Sequence, residues 1–219
     1  MPLTRLARLG TFAVVVALGT AGCSGSSSGS ASPTSTTSAA TTSSSGPAAS
    51  GTAGSSQTPV PVESNPPGDI PDNIAFVPYT NAAAGYSFTH PEGWGEQENG
   101  AAVTFTDKLN GISADTASIP TPLDEPTART QEVPRLSASE GAFQLVSVAP
   151  VSVPAGNGVL IVYRRNAAPD PVTGRQVRAE VQEYLISNGA SSVRLALFGP
   201  VGADNVDAYR TIAQSLTLR

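Results

Sequence analysis

One thiol is the strongest candidate for covalent chemistry in this chain of 219 residues. Cys23 is the only cysteine, so an intrachain disulfide is excluded. Upstream of it, Arg5 and Arg8 precede a short apolar run from Phe12 to Leu18, and small residues follow directly before the cysteine. A charged start, a short apolar stretch and a small-residue cleavage zone are the parts of a secretory signal. The sequence therefore predicts export, with cleavage close to Cys23.

The string LGTAGC around this thiol resembles the lipobox of bacterial lipoproteins, in which the leader is cut before the cysteine and lipid is attached to its sulfur. The resemblance implies a signal peptide over residues 1–22 and a lipid anchor on Cys23 at the extracytoplasmic face of the cell membrane. Thr20 departs from the family, which most often has leucine there. A plain secreted protein with an incidental cysteine is the alternative. A spanning helix is excluded, because it needs about 20 apolar residues.

A long uncharged segment follows the cysteine. Residues 24–62 carry no charged side chain and consist almost wholly of Ser, Thr, Gly, Ala and Pro. Such a composition cannot bury enough apolar surface to offset the entropy of ordering. We therefore expect residues 23–75 to be the lipidated cysteine and a disordered tether spanning about 40 Å, followed by a folded domain over residues 76–219. Whether the tether is an O-glycosylated stalk or a bare spacer stays open.

The charge of the mature chain limits its partners. Without Arg5 and Arg8, ten of the twelve basic residues remain against seventeen acidic ones, a net charge near −7. Nucleic-acid binding rests on Lys and Arg neutralising phosphates, so a nucleic-acid partner is excluded. The same deficit argues against a polybasic grip on anionic lipid, so contact with the membrane is expected through the lipid anchor.

Four arginines are the candidates for binding a partner. The predicted strands Val159–Arg165 and Gln176–Ser187 and the loop between them carry Arg164, Arg165, Arg175 and Arg178. If the strands pair, these cations approach one another. Cross-strand ion pairs with Glu180 and Glu183 are one interpretation. A small basic patch that grips an acidic partner or an anionic sugar is the other.

Catalytic chemistry has one candidate residue, the single histidine His90. A serine–histidine–acid mechanism would have to use it, but the chain has no G-x-S-x-G motif around a nucleophilic serine. We expect His90 to pack against the domain or to cap the turn at Pro91. The sequence therefore predicts no catalytic residue and no cofactor.

Acidic residues offer two further patterns. Asp107 and Asp115 flank a turn, although their spacing fixes no distance between the carboxylates. A cation site could use the acidic cluster Glu92, Glu96 and Glu98. Calcium, however, wants six to eight oxygens from a shaped loop, and the D-x-D-x-D-G pattern is missing. A solvated acidic hairpin is the preferred interpretation, and no metal site is predicted.

Period-two alternation of side chains predicts a strand-rich domain. The predicted strands cover Tyr86–His90, Ala102–Thr106, Gly111–Ile119, Phe143–Val153, Val159–Arg165, Gln176–Ser187 and Ser191–Phe198. Tight turns are expected at the pairs Asn110-Gly111 and Asn188-Gly189 and at residues 156–158, because these residues tolerate positive φ. Pro150 indicates a bulge or a sheet edge.

Two helices complete the predicted domain. Asp124, Glu125 and Pro126 have the types that favour a helix start. Pro134 should interrupt that helix, which either ends near Glu132 or restarts as a second short turn up to Glu140. The second helix runs from an Asp204 cap to Ser215, with Tyr209 in the core. Hairpin-linked strands favour antiparallel pairing, and segregated helices make the fold class α+β.

The string GYSFTHPEGW resembles the opening of PsbP-like domains, which begin with an aromatic strand followed by P-x-G-W. With the lipobox and tether, the chain looks like the LpqN/LpqT-type lipoproteins of mycobacteria and related actinobacteria. The resemblance implies an α/β/α sandwich with an antiparallel sheet and a mostly protein-binding role. We therefore expect a non-catalytic module that binds an envelope protein. A carrier of a lipid or another apolar ligand is the alternative, and a hydrolase using His90 comes third.

Overall fold

The computed structural model describes residues 57–64, 67–116, 119–120, 122–170 and 172–219, all within one folded unit. Cys23, the leader and residues 24–56 lie outside the described residues, so lipidation and the disorder of that part of the tether stay predictions. Among the described residues, no helix is long and apolar enough to cross a membrane.

The described residues form ten strands and three helices. The strands are β1 (Phe76–Asn81), β2 (Tyr86–Pro91), β3 (Gly95–Asn99), β4 (Ala102–Asp107), β5 (Asn110–Asp115), β6 (Gln144–Val153), β7 (Gly156–Asn166), β8 (Arg178–Ser187), β9 (Ser192–Pro200) and β10 (Thr217–Leu218). The helices are α1 (Glu125–Thr127), α2 (Val133–Ser139) and α3 (Val206–Ser215), with a π-helical turn (Ala128–Glu132) between the first two.

Seven strands make one antiparallel sheet in the order β3-β4-β5-β9-β8-β7-β6. Strand β9 joins the two halves, because it pairs with β5 on one side and with β8 on the other. A smaller antiparallel sheet has the order β1-β2-β10. Strand β6 lies at an edge of the large sheet, which agrees with the prediction from Pro150.

Helical segments cover both faces of the large sheet. One face packs on α3 and the small sheet through a core that includes Tyr86, Phe88, Phe105, Ile112, Leu195, Leu197 and Ile212. The other face packs on α2 and the π-helical turn through Leu136, Val148, Ile161, Tyr163, Val181 and Leu185. The predicted α+β class, with an antiparallel sheet sandwiched between helices, is confirmed. Tyr209 is buried in the core, as expected.

The hairpin between β4 and β5 exists, but its turn is not at Asn110-Gly111. Lys108 and Leu109 form the turn, and Gly111 lies inside β5 opposite Phe198. A Cβ on Gly111 would collide with the Phe198 ring. The glycine is therefore required by close packing across the sheet rather than by the conformation of a turn.

The turn predicted at residues 156–158 is wrong in the same way. The chain turns at Pro154 and Ala155, and Gly158 lies within β7. A Cβ on Gly158 would collide with the carbonyl oxygen of Leu185 on the neighbouring strand. Close approach of two backbones again explains why this position has no side chain.

Pro134 interrupts the first helical segment without ending it, so the predicted restart up to Glu140 is confirmed. The segment begins at the predicted place, and Asp124 caps it, since its carboxylate accepts a 2.8 Å hydrogen bond from the Thr127 amide. Ahead of the proline the helix widens, and the Val133 amide donates to the carbonyl of Ala128, five residues back. A π-type turn relieves the clash that a proline ring makes with the preceding helical turn. The helix then continues to Ser139.

The predicted Asp204 cap on the last helix is wrong. Asn205 occupies the N-cap position, and its side chain does not cap the helix. Its Oδ1 accepts a 2.8 Å hydrogen bond from the Ile70 amide instead, and the Asp204 amide donates to Asp69. These bonds hold residues ahead of β1 against the domain, and Ile70 is only 5% exposed.

Candidate binding groove

The four candidate arginines do not form one patch. Arg164 and Arg165 are neighbours on β7, so they point to opposite faces of the sheet. Arg164 pairs with Glu180 directly across from it on β8, at 3.0 Å. This is one of the two predicted cross-strand ion pairs. The other is absent, because Glu183 pairs with Arg135 and Arg194 instead.

Arg178 is buried and is hydrogen-bonded only to neutral oxygens among the described residues. Its Nη1 donates to the carbonyl of Ala142 at 2.7 Å and to Asn166 Oδ1 at 3.3 Å, and its Nη2 donates to Gln144. Burial and the nearby charge of Arg164 lower the pKa of the Arg178 guanidinium. At 4% exposure, this arginine holds the end of the sheet together and does not face a partner.

Arg165 and Arg175, by contrast, line the same groove of about 350 Å³. Strand β7, the loop after it, the β4–β5 turn and β9 form its walls. Three cations line it, and apart from Thr106 and Asp170 the remaining lining is apolar: Leu109, Ala167, Ala168, Pro169, Val177 and Phe198. Such a surface suits a ligand with a negative charge next to an apolar group. We call it the arginine groove.

The Arg165 side chain is held in a fixed position in this groove. Its guanidinium lies over the Phe198 ring, 5.2 Å from the centroid, and Nη1 donates to Glu140 at 2.9 Å. The ring in turn lies against Gly111. A glycine, an aromatic ring and a guanidinium are thus stacked in sequence, an arrangement that fixes the plane of the cation.

One donor of Arg165 is left without a partner. Its Nε is buried and makes no hydrogen bond to any described residue. A buried donor that is not satisfied costs about 1–3 kcal/mol. Because this nitrogen is fully buried, a ligand in the groove would reach only the other nitrogens of the Arg165 guanidinium, and the side chain as a whole is 26% exposed.

The remaining charged residues of the groove differ in availability. Lys108, at the β4–β5 turn, has a side chain that is 82% exposed and lies 3.9 Å from Asp107. Asp170 is engaged by its own loop, since it accepts hydrogen bonds from the Val172 and Thr173 amides and from the Thr173 hydroxyl. These bonds lower the pKa of Asp170. Lys108 is therefore the most exposed cation of the groove, since Arg165 is paired with Glu140 and Arg175 with Glu63, and Asp170 is held by its own loop.

His90 lies in the core, away from any arrangement that would activate it. Its ring stacks on Phe105 with centroids 3.9 Å apart, and Nδ1 donates to the carbonyl of Pro91 at 3.0 Å. In the described part of the chain, neither ring nitrogen is bonded to a hydroxyl or a carboxylate. This is the packed and turn-capping position that the sequence indicated.

The acidic residues are also dispersed. Asp107 stands opposite Asn110 at one end of the β4–β5 hairpin, and Asp115 ends β5, about 17 Å away at a rise of roughly 3.4 Å per residue. Glu98 on β3 accepts a hydrogen bond from the Tyr79 hydroxyl. Across the residues that the structure describes, no three side chains are grouped to hold a metal ion.

A buried ion cluster was missed by sequence reasoning. Arg194 donates to Glu132 at 2.9 Å and to Glu183, and Arg135 also bonds both carboxylates. Tyr163 donates to Glu183 at 3.2 Å. Burial raises the pKa of Glu183, whereas at Glu132 the hydrogen bonds of the two arginines outweigh burial and lower the pKa. The signal was Glu183 itself, a charge on an otherwise apolar strand face.

Comparisons with known proteins give few leads. No protein-family model matches the sequence, and no curated protein matches it. Solved structures that are similar in part include three of low sequence identity. A Bacteroides thetaiotaomicron protein is 14% identical with a TM-score of 0.41, over 65% of this chain and 48% of that one. The chain therefore spans about half the length of that protein.

The other two are nearly fully covered. The Ran-binding protein Mog1p of Saccharomyces cerevisiae is 9% identical with a TM-score of 0.44, over 67% of this chain and 96% of that one. A Pseudomonas aeruginosa protein of unknown function is 16% identical with a TM-score of 0.40, over 66% and 97%. At these levels of similarity they say nothing about what this chain binds.

Proposed function

We propose that this protein is a non-catalytic binding module of the cell envelope, anchored through lipid on Cys23, whose arginine groove takes an acidic segment of an envelope protein. The convergence of Arg165 and Arg175 on one groove whose remaining lining is mostly apolar is the observation that carries the proposal. The family proposed is the LpqN/LpqT-type lipoproteins with a PsbP-like domain, on the strength of the sequence motifs.

Charge complementarity supports an acidic partner. The mature chain is acidic overall, yet Lys108, Arg165 and Arg175 converge on one groove. An acidic segment is repelled by most of the surface and attracted at this position, which favours one docking site over others. Apolar residues beside the acidic ones would contact Leu109, Val177 and the Phe198 ring.

The volume of the groove also fits a peptide segment. Small-molecule sites are typically about 300–1,000 Å³, and the arginine groove falls in this range, so it has room for the side chains of a short segment. The alternative function, an apolar-ligand carrier, would use the space between α3 and the sheet. There the structure has a cleft of about 190 Å³, lined by Val151, Val153, Tyr184 and Val206 among others. That cleft is small for an acyl chain, so we favour the protein partner.

Site-specific photo-crosslinking in cells tests the proposal against its alternative. A photoreactive amino acid replaces Leu109 in the arginine groove, and in a second strain it replaces Val206, which is 58% exposed at the cleft under α3. We expect a covalent adduct with an envelope protein from position 109. The substitution Arg175→Gln should weaken that adduct, because it removes one positive charge from the groove.

Each other outcome contradicts the proposal. A lipid adduct from position 206, with no protein adduct from position 109, would establish the carrier. A protein adduct that forms equally from both positions would show that the groove confers no selectivity. An adduct from position 109 that is insensitive to Arg175→Gln would mean that charge does not direct binding.

A further inference from the structure

A segment ahead of the first strand lies along the domain next to the arginine groove. This strap, residues 57–63, is bonded by one side chain at the end of β7. The Val60 amide donates to Asn166 Oδ1 at 3.0 Å, and Asn166 Nδ2 donates to the Thr58 carbonyl at 2.9 Å and to Gln57 at 3.2 Å. Asn166, which is only 7% exposed, therefore forms hydrogen bonds with the strap backbone at two positions, Val60 and Thr58.

The domain in turn holds the Asn166 side chain and backbone in place. The Asn166 backbone amide donates to the Gly141 carbonyl at 2.8 Å, and its Oδ1 also accepts from Arg178 at 3.3 Å. A Cβ on Gly141 would come within 2.6 Å of Gln57 Oε1, so the strap approaches this backbone closely. The strap therefore packs against a contact surface that residues of the folded domain form.

The far end of the strap reaches a cation of the groove. Glu63 forms an ion pair with Arg175, whose side chain is 59% exposed and lines the arginine groove. A carboxylate of the chain's own strap therefore occupies one of the charges that an acidic partner would use. Glu63 is also the first charged residue after the long uncharged segment.

We propose that the strap is an intramolecular competitor for the arginine groove, with Glu63 standing in for the partner's carboxylate. The inference rests on the proposed function and adds its regulation. When the strap is seated, Arg175 is neutralised and the groove binds an acidic segment weakly. When the partner's carboxylate takes Arg175, Glu63 is displaced. The apparent affinity then scales with the fraction of molecules in which Arg175 is free.

Titration calorimetry on the full chain tests the competition. The probe is an octapeptide of alternating glutamate and leucine, with the glutamine–leucine peptide as the uncharged comparison. We expect Glu63→Gln to bind the acidic probe about two- to fivefold more tightly than the wild type, the effect of removing one exposed ion pair. The matched control is Glu92→Gln, which removes the same charge from an exposed position outside the strap and should leave the affinity unchanged.

Hydrogen exchange of the Val60 amide gives a second measurement that needs no ligand. The bond to Asn166 should protect this amide in the wild type, and Asn166→Ala should abolish the protection. Addition of the acidic probe to the wild type should increase exchange at Val60. This measurement reports on the strap even if the probe has no affinity for the groove.

The outcomes separate the two proposals. An unprotected Val60 amide in the wild type would overturn the strap inference and leave the proposed function standing. Equal affinity of the wild type and Glu63→Gln for the acidic probe would overturn the competition alone. Failure of the probe to bind either protein, with Val60 protected, would overturn the proposed function and the competition that depends on it.

Discussion

Replacing Arg194 by methionine should destabilise the domain more than almost any other single change of charge. The Arg194 side chain is 11% exposed and bonds two carboxylates that are 6% and 3% exposed. Methionine keeps an unbranched apolar stem and removes the guanidinium with its charge. Glu132 and Glu183 would then share only Arg135, whose side chain is 45% exposed and therefore partly screened by solvent.

The size of the effect follows from the burial of the two carboxylates. Removing one partner of a buried ion pair costs about 3–5 kcal/mol, because the remaining charge stays buried without compensation. Since Arg135 still contacts both carboxylates, we expect the lower end, about 3 kcal/mol. With a urea dependence of about 2 kcal/mol per molar for a domain of this size, the unfolding midpoint should fall by about 1.5 M.

Urea denaturation followed by the fluorescence of Trp94, the single tryptophan, measures this change. The control is Arg129→Met, which removes a surface ion pair with Glu125 one helical turn away and a 3.3 Å hydrogen bond to the Val148 carbonyl, and which should cost about 1 kcal/mol or less. A loss below about 1 kcal/mol for Arg194→Met would refute the account of the cluster.

The pH dependence gives a second test of the same variant. Without Arg194, the folded-state pKa of Glu183, already raised by burial, rises further, and that of Glu132 rises from its lowered value. A folded state that binds protons more tightly gains stability as the pH falls. The difference between wild type and Arg194→Met should therefore shrink from pH 7 to pH 5. A difference that stays constant or grows over this range would contradict the reasoning.

Three further changes probe other parts of the molecule. Gly111→Ala should lower the free energy of unfolding by about 1–3 kcal/mol, because the added methyl group displaces the Phe198 ring. Gly95→Ala, where a Cβ meets nothing closer than 3.6 Å, should cost far less in the same urea assay. Equal losses for the two variants would refute the packing role of Gly111. Arg178→Lys should cost about 1–3 kcal/mol, because lysine cannot reproduce the fork that satisfies three oxygens, and a cost under about 0.5 kcal/mol would contradict this. Burial raises the pKa of Tyr86 to about 12, so its phenol should stay protonated in an NMR titration at pH 11, and ionisation near pH 10 would show that the ring is not buried as described.

The class of the fold could be predicted because alternation and helical periodicity depend on burial alone. The strands around Phe88, Phe105 and Leu185 alternate clearly, and their faces pack as expected. Strand β3 gave no such signal. All five of its residues are exposed, so it is held by backbone pairing to β4, which leaves no apolar pattern.

Positions of the turns were less predictable, because glycine has two uses. It allows positive φ, and it leaves room for a close neighbour. The sequence alone favours the first use at Gly111 and Gly158, whereas the structure shows the second at both. The partners that decide between them, Phe198 and Leu185, are distant in sequence.

Some residues of the candidate groove could be predicted from the sequence, and others could not. The grouping of arginines on two neighbouring strands indicated either cross-strand ion pairs or a basic patch, and Arg165 and Arg175 do line one groove. Arg164 does not line the groove because consecutive residues of a strand point to opposite faces of the sheet. Arg178 does not line it because its side chain is buried. The sequence around Phe198 does not indicate that the Arg165 guanidinium packs on its ring, because that contact joins two strands, β7 and β9, that are distant in sequence.

The mass of the adduct formed in cells by a photoreactive residue at position 109 tests the central claim most directly. We predict an envelope protein joined through an acidic segment, with the yield reduced by Arg175→Gln. A lipid adduct at position 206 without any protein at position 109 would contradict the claim.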